Sequence, residues 1–491
     1  MQQQPRLPLW FLVANWALVV AAFFLGVFLG GKGKSQLPEP QATALQLIHA
    51  EILKSHVDPQ DPHELMDRAI LAMVHSLDPY SLYVAPGKVA AYEENSSGRY
   101  EGVGLLMTQQ GGDIVVQYPF PGGPADRAGV LPGDRIVAVD GTPLAAEPPE
   151  RRNDAASRLV RGEAGTEVRL QLARGDGTVE LSMRRSDVQK SAVKWAHFPD
   201  PDAGLGYLYL SDFHPGIRDQ IEAALARLQQ QHPLQGLVLD LRFDGGGSLD
   251  ECVALARTFV ASGTIVSQRR RGSEVVETYA AKPELCDYPD LPLVVLVDQD
   301  SASASEVLAG ALQDHGRAAI VGARTWGKGY VNTVYTWKGL DFRLKLTTAR
   351  YFTPNGRNLD GHVGTETNHG DRLDAPRLRE LLHQVQDGTR SPDDALRALL
   401  RAPSAPAQAG GITPDVLVEV DDDQRRAVLQ VLDSHEPPAK HLAAFTAVAA
   451  QYGFEVPRPP DAEHDAQLAT ALTTLRERIA AAAATSATEP R

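Results

Sequence analysis

Leu291-Pro292-Leu293-Val294-Val295-Leu296-Val297-Asp298-Gln299-Asp300-Ser301-Ala302-Ser303-Ala304-Ser305-Glu306-Val307-Leu308 reads as a strand that runs straight into a helix. Leu291 to Val297 is almost unbroken apolar sequence, the pattern of a strand covered on both faces. Asp298, Gln299 and Asp300 end it. A helix then opens and runs through Val307, Leu308, Ala311 and Leu312 to a stop at Gly316. A buried strand feeding a helix is the unit of an α/β fold. Ser303 and Glu306 have the S-x-x-E spacing of a capping box, in which serine and glutamate satisfy each other's free backbone donors. By itself that makes Ser303 a structural cap. The same helix end, with its free N–H groups and positive dipole, also favours an anion beside the serine.

Working outward, Gly206–Leu210, Gly236–Leu241 and Ala318–Val321 read as further strands and Ile217–Gln230 as an amphipathic helix. Val331–Trp337 and Phe342–Thr348 form a hairpin pair joined by Lys338-Gly339-Leu340-Asp341. Two strand ends carry glycines. One is Asp244-Gly245-Gly246-Gly247-Ser248, a nest of backbone donors; the other is Gly322-Ala323-Arg324-Thr325-Trp326-Gly327-Lys328-Gly329, with a lysine between two glycines. On residue type alone the glycines make turns and Lys328 lies in a solvated loop. The alternative is that serine, lysine and nest meet where open α/β sheets place their sites.

Upstream, Gly98 to Asp187 changes to short strands: Gly102–Met107, Asp113–Val116, Arg135–Val139, Val168–Leu172 and Val179–Met183. A short capped helix at Pro124–Gly129, a Pro132-Gly133-Asp134 turn and a helix over Glu150–Val160 punctuate them. This linked run resembles a PDZ domain. The resemblance implies a groove in which an extended peptide adds as a strand, its C-terminal carboxylate held by backbone N–H groups of Gly102, Val103, Gly104 and Leu105. Leu45 to Leu77 has helical spacing, interrupted at Pro59 and Pro62, and fits two helices of a packing or dimerising unit. Residues 358–410 break the α/β rhythm as a polar insertion, partly helical near Leu378–Val385, and order returns at Gly411-Ile412-Thr413-Pro414-Asp415-Val416.

The expected organisation is multidomain, α/β and β. It comprises a tail and transmembrane anchor (1–36), a helical segment (37–97), a PDZ domain (98–187), an α/β core (188–420) and a helical C-terminal extension and tail (421–491). A length of 491 residues suits about three domains. The net charge of −14, with no basic face, excludes nucleic-acid binding. Cys252 and Cys286 are too few for a disulfide scaffold or a thiolate zinc site, and no H-E-x-x-H spacing occurs, so neither metal nor cofactor is expected. Cys252 reads as a buried thiol on an apolar helix, a single Cys252–Cys286 bridge being the alternative. Leu7 to Gly30 carries no charge and is about the length of a membrane-spanning helix. Phe23-Phe24-Leu25 continue the apolar run past the cleavage-like Val20-Ala21-Ala22, which favours an anchor over a cleaved signal peptide. Arg6 on one flank against Lys32 and Lys34 on the other leaves the orientation open.

Ser301–Glu306, Gly310–Asp314 and Gly327-Lys328-Gly329 together resemble the carboxyl-terminal processing (tail-specific) serine peptidases. The resemblance implies a Ser/Lys dyad with Ser303 as nucleophile and Lys328 as general base. It implies an oxyanion pocket from the N–H of Ala304 and of Gly246, with Gly247 close behind, and polypeptide substrates with accessible C-termini. It further implies a single-pass protein of the cytoplasmic (inner) membrane with its catalytic part on the extracytoplasmic, periplasmic side, and a PDZ domain that gates the site. A homo-oligomer through the helical segment fits the apolar helices. A free lysine, with a pKa of about 10.4, is protonated at neutral pH, so burial must lower it before it can accept a proton. The chain departs from the family in two places. Asn332 stands where a glutamine orients the lysine, and Leu241-Arg242-Phe243-Asp244-Gly245-Gly246-Gly247 stands for Leu-Arg-Asn-Asn-Pro-Gly-Gly. A catalytically inactive, membrane-anchored PDZ scaffold is the alternative function. A Ser-His-Asp triad is disfavoured: His315 lies about 18 Å of helix from Ser303, and His214 has no evident acidic partner.

Overall fold

The computed structural model describes residues 37–270, 275–360 and 410–488. They fall into two compact units, dividing at Val74 and His75. In the first, helices Glu39–Ser55 and Pro62–His75 flank a break that contains Pro59 and ends at Pro62, the residues expected to interrupt them. Asp61 Oδ1 caps the second helix, accepting from His63 N and Glu64 N at 2.8 Å each. Glu39–Ser55 buries none of its residues, and Leu45, Leu47, Ile48 and Leu53 stand exposed.

The second unit is built on a six-stranded sheet. Its order is Val193–Asp200, Leu205–Leu210, Gly236–Asp240, Leu293–Val297, Ala318–Gly322, Val416–Leu417; the first pair is antiparallel and the rest parallel. Leu205–Leu210, Gly236–Asp240 and Leu293–Val297 are buried at every position. Unbroken apolar strands require cover on both faces. On one face lie helices Ile217–Gln231, Leu249–Phe259 and Ala304–Asp314, in a core with Leu208, Leu239 and Val295. On the other, Leu468, Ala471, Leu472 and Leu475 of helix Ala466–Thr488 pack on Tyr207, Val238, Val294 and Leu296.

In the expected helical C-terminal extension, helix Ala466–Thr488 forms this second layer of the core, held by a buried ion network. Arg242, wholly enclosed, donates to Asp240 (Nη2 to Oδ2, 2.6 Å) and to Asp465 (Nη2 to Oδ2, 2.7 Å; Nη1 to Oδ1, 3.0 Å). Gln467 Oε1 and the Tyr207 hydroxyl complete it. Guanidinium charge buried this deeply is tolerable only with such full pairing.

A second sheet carries Leu82–Val84, Tyr330–Tyr335, Arg343–Phe352, Thr264–Arg269 and Val275–Ala280. The hairpin Tyr330–Tyr335/Arg343–Phe352 matches the sequence reading, whereas Val193–Asp200 and the Thr264–Ala280 pair went unread. Val193–Asp200 is a sheet edge with Lys194, His197 and Asp200 interrupting the apolar alternation.

The Gly98–Asp187 region forms its own sheet, in the order Leu105–Gln110, Asp113–Pro119, Arg135–Val139, Glu167–Arg174, Gly177–Arg184. Its separate core includes Ile114, Val116, Ile136, Leu170 and Leu172 beneath helix Arg152–Val160. The segments entering and leaving this sheet pair with each other, Arg99–Gly102 against Ser186–Gln189.

Cys252 and Cys286 are both free thiols, Cys252 buried. Among the described residues no helix is long and apolar enough to cross a membrane. The Leu7–Gly30 anchor and most of the 358–410 insertion lie outside the described residues. The visible ends of that insertion meet, Gly411 N donating to Leu359 O at 3.0 Å.

Candidate active site

The loop after Leu293–Val297 is fixed before it reaches Ser303. Asp298 Oδ1 accepts from the backbone N–H of Phe243 (3.0 Å), Asp300 (3.0 Å) and Ser301 (3.1 Å), and Ser301 Oγ donates to Leu241 O at 2.8 Å. The chain then turns into helix Ala304–Asp314 through Ser303 at φ 57°, ψ −112°. A side-chain-bearing residue held there costs about 1–3 kcal/mol and persists only where its surroundings over-determine it. The turn sets a largely buried Ser303 at the helix N-terminus. This geometry was not legible in the sequence, which showed only a capping pattern.

Glu306 supplies the over-determination. Its carboxylate, buried beneath the turn, accepts four hydrogen bonds: Oε2 from Ser303 N and Lys328 N (2.8 Å each), Oε1 from Gly327 N (2.7 Å) and Thr325 Oγ1 (2.6 Å). Burial pushes its carboxyl up while these donors oppose the shift. Sequence reading gave Glu306 a capping role only. Thr325 Oγ1 in turn accepts from Ile412 N at 2.6 Å, so the Gly411–Val416 run returns to the site. Gly329 is packed so closely on Leu359 and Asp360 that a Cβ there would lie 2.2 Å from Asp360 N. A glycine is required at that contact.

The Lys328 side chain is mostly enclosed. Burial, then the Lys345 ammonium, push its pKa down to about 8, with Glu306 opposing. Its Nζ lies 5.2 Å from the centroid of the Tyr80 ring, a residue the sequence gave no reason to select because it joins the site only through the fold. Among the described residues no hydrogen bond links Lys328 Nζ to Ser303 Oγ. Asn332 does not hold the amine here either: its Nδ2 donates to Thr347 Oγ1 at 3.0 Å, and Thr347 Oγ1 donates to Asp78 Oδ1 at 3.0 Å.

The glycine nest does reach the serine. A Cβ on Gly246 (φ +92°) would fall 2.7 Å from Ala304 N and 2.9 Å from Ser303 Cβ. The Gly246 N–H, the first-choice oxyanion donor, donates to Asp244 Oδ1 at 2.8 Å. Among the described residues the N–H groups of Ala304 and Gly247 have no acceptor. The histidines are engaged elsewhere. His214 Nδ1 lies 3.0 Å from Gln189 Nε2 with its ring against Gly98, and His315 Nε2 lies 2.7 Å from Thr264 O.

In the sheet of the Gly98–Asp187 region, Leu105–Gln110 is an edge strand beside helix Arg152–Val160. The loop before it is anchored through its carbonyls, Ala125 N donating to Val103 O (2.9 Å) and Phe120 N to Gly104 O (3.0 Å). The Val103 and Gly104 N–H groups have no acceptor among the described residues. Among these residues no group of histidine, cysteine and carboxylate side chains could hold a metal ion.

Comparison with known proteins shows the family. Residues 204–369 match peptidase family S41 and residues 115–174 match the PDZ domain. A carboxy-terminal-processing protease of Bartonella bacilliformis is 36% identical over 320 residues, 64% of this chain and 71% of that protein. A probable CtpA-like serine protease of Staphylococcus aureus is 30% identical over 344 residues, 70% of this chain and 67% of that protein. A solved photosystem II D1 C-terminal processing protease aligns with 79% of this chain and 91% of its own at 30% identity, with a TM-score of 0.39. With a PDZ domain ahead of its peptidase core, the chain belongs to peptidase family S41 and is a serine-type peptidase of the carboxy-terminal-processing group.

Proposed function

We propose that this peptidase cleaves polypeptides with Ser303 as nucleophile and Lys328 as general base. The observation that carries the assignment is the single carboxylate of Glu306, which binds the main chain of both residues. Lys328 swings from its place over Tyr80 to accept the Ser303 Oγ proton as Oγ bonds to the substrate carbonyl carbon. Lys328 then returns that proton to the departing amine, and water hydrolyses the acyl-enzyme. The oxyanion takes the N–H groups of Ala304 and Gly247. Asn332 acts indirectly, through its hydrogen bond to Thr347.

Substrate C-termini add as a strand to the open edge Leu105–Gln110, their carboxylate on the Val103 and Gly104 N–H groups. Because the two linker strands of this domain pair with each other, a peptide bound there moves the domain as one body and gates the site. The uncharged Leu7–Gly30 run anchors the chain in the cytoplasmic membrane with the catalytic part outside, and the exposed apolar face of Glu39–Ser55 pairs two copies. The deciding experiment incubates the full chain in detergent with an unfolded protein. Cleavage abolished by Ser303→Ala and by Lys328→Met supports the dyad; equal cleavage by wild type and both variants overturns it.

A further inference from the structure

The mechanism above leaves one buried acid unused. Asp244 is completely enclosed, and among the described residues no lysine, arginine or histidine pairs with it. Two other buried acids of this region have cations: Asp240 has Arg242, and Asp298 has Arg425 at 3.5 Å. Asp244 Oδ1 accepts from Gly246 N, while Oδ2 is buried with no hydrogen-bond partner among the described residues. Its carbonyl accepts from Ala302 N (3.0 Å) and Ser305 Oγ (2.9 Å), tying the glycine nest to the residues on either side of Ser303.

The groups facing the Asp244 carboxyl supply no positive charge. From the segment after Leu205–Leu210 comes the half-buried Asp212, whose Oδ1 lies 2.9 Å from where a Gly247 Cβ would stand. Tyr209 of that strand and Cys252 of helix Leu249–Phe259 are the other titratable neighbours, both neutral, and Ser305 is the polar contact from the nucleophile helix. His214 and Lys190 act on Asp212, not on Asp244. An ionised carboxylate with one oxygen unpartnered in this enclosure is far costlier than a neutral acid.

We propose that Asp244 is a positioning residue that works as a neutral carboxylic acid, its Oδ1 holding Gly246 so that the Gly247 N–H faces the nucleophile. The inference rests on the dyad and oxyanion reading above. Burial and the Asp212 charge both push the Asp244 carboxyl upward, in the direction the role needs. When Asp244 loses its proton, two carboxylates face each other across the glycine loop and drive it out of register. The loop donors are then presented only while the proton is held, which gives this chain an upper pH limit beside the lower one set by Lys328.

The test compares wild type, Asp244→Asn and Asp212→Asn over a range of pH, with Ser303→Ala as the blank. Asparagine copies the neutral acid and cannot ionise. Asp244→Asn is expected within about twofold of wild type at the optimum, to lose the descending alkaline limb, and to keep the ascending one. In Asp212→Asn that limb is expected to weaken as well, because an ionised Asp244 then faces no second carboxylate across the loop. An infrared carbonyl band of a protonated carboxyl, absent from Asp244→Asn and lost on alkaline titration of Ser303→Ala, reads the proton without any turnover. Superposable pH profiles for wild type and Asp244→Asn overturn the proposal, as does a loss above tenfold at every pH in a folded Asp244→Asn. No cleavage by any form, with the infrared band present, overturns the dyad reading and leaves the neutral Asp244 standing.

Discussion

The main-chain N–H groups of Ser303 and Lys328 donate to the same oxygen, Glu306 Oε2, each at 2.8 Å. The proposed nucleophile on one strand end and the proposed base on the next are thereby tied through their main chains to one carboxylate. The side chains themselves are apart, with Lys328 Nζ over Tyr80. In the proposed mechanism the Lys328 side chain leaves Tyr80 to close the dyad.

Replacing that carboxylate tests the tie. Glu306→Gln keeps the shape but turns an amide NH2 toward backbone donors, so two of the four bonds are lost. Activity is expected to fall by about ten- to a hundredfold and stability by about 1–3 kcal/mol. Denaturant melts and cleavage rates measured on the same preparation check both. An unchanged rate removes Glu306 from the positioning of the dyad.

The lysine carries a pH signature. With its folded pKa at about 8, kcat/KM is expected to rise by about tenfold per pH unit below that value and to level above it. Stability follows the same group. The folded state releases the proton near pH 8 and the unfolded chain near its ordinary value of 10.5, so Lys328 makes the protein more stable as pH climbs between them. Below pH 8 both states hold the proton and the folded state bears the buried charge. Lys328→Met is therefore expected to be inactive yet more stable at neutral pH, on the order of 1–3 kcal/mol. A melt of Lys328→Met below wild type at neutral pH counts against this.

Strain at the serine separates two inactive variants. Ser303 sits at φ 57°, where glycine is at ease and alanine is not. Ser303→Gly is expected to exceed Ser303→Ala in stability by about 1 kcal/mol, the relief of strain being partly offset by glycine's larger unfolded-state entropy. Thermal melts of the pair decide it, and equal melts mean that the turn is not strained.

The buried clamp predicts a different loss. Asp465→Ala leaves the Arg242 guanidinium with Asp240 and Gln467 only, and an underpaired buried charge costs about 3–5 kcal/mol. Proteolysis is expected to begin in helix Ala466–Thr488, since that helix is held to the sheet through this network and a row of leucines. Mass spectrometry of early fragments locates the first cut; cleavage elsewhere would mean that the helix is held by its leucines alone.

What the sequence determined was the local part of the structure. Unbroken apolar runs such as Leu293–Val297 can only be buried strands, and capping residues and glycines marked where Ala304–Asp314 begins and ends. The serine and lysine were legible because each sits in a short motif at a strand end. Tertiary structure alone decided what those motifs touch. Tyr80 reaches Lys328 from far along the chain, Asn332 turns to Thr347, and Asp244 claims the Gly246 N–H. An Ala-rich C-terminal stretch becomes a layer over one face of the sheet, with Asp465 paired to Arg242. Periodicity and caps follow from backbone geometry within a few residues. A long-range contact depends on which surfaces remain uncovered once the strands are paired, and no local pattern encodes that.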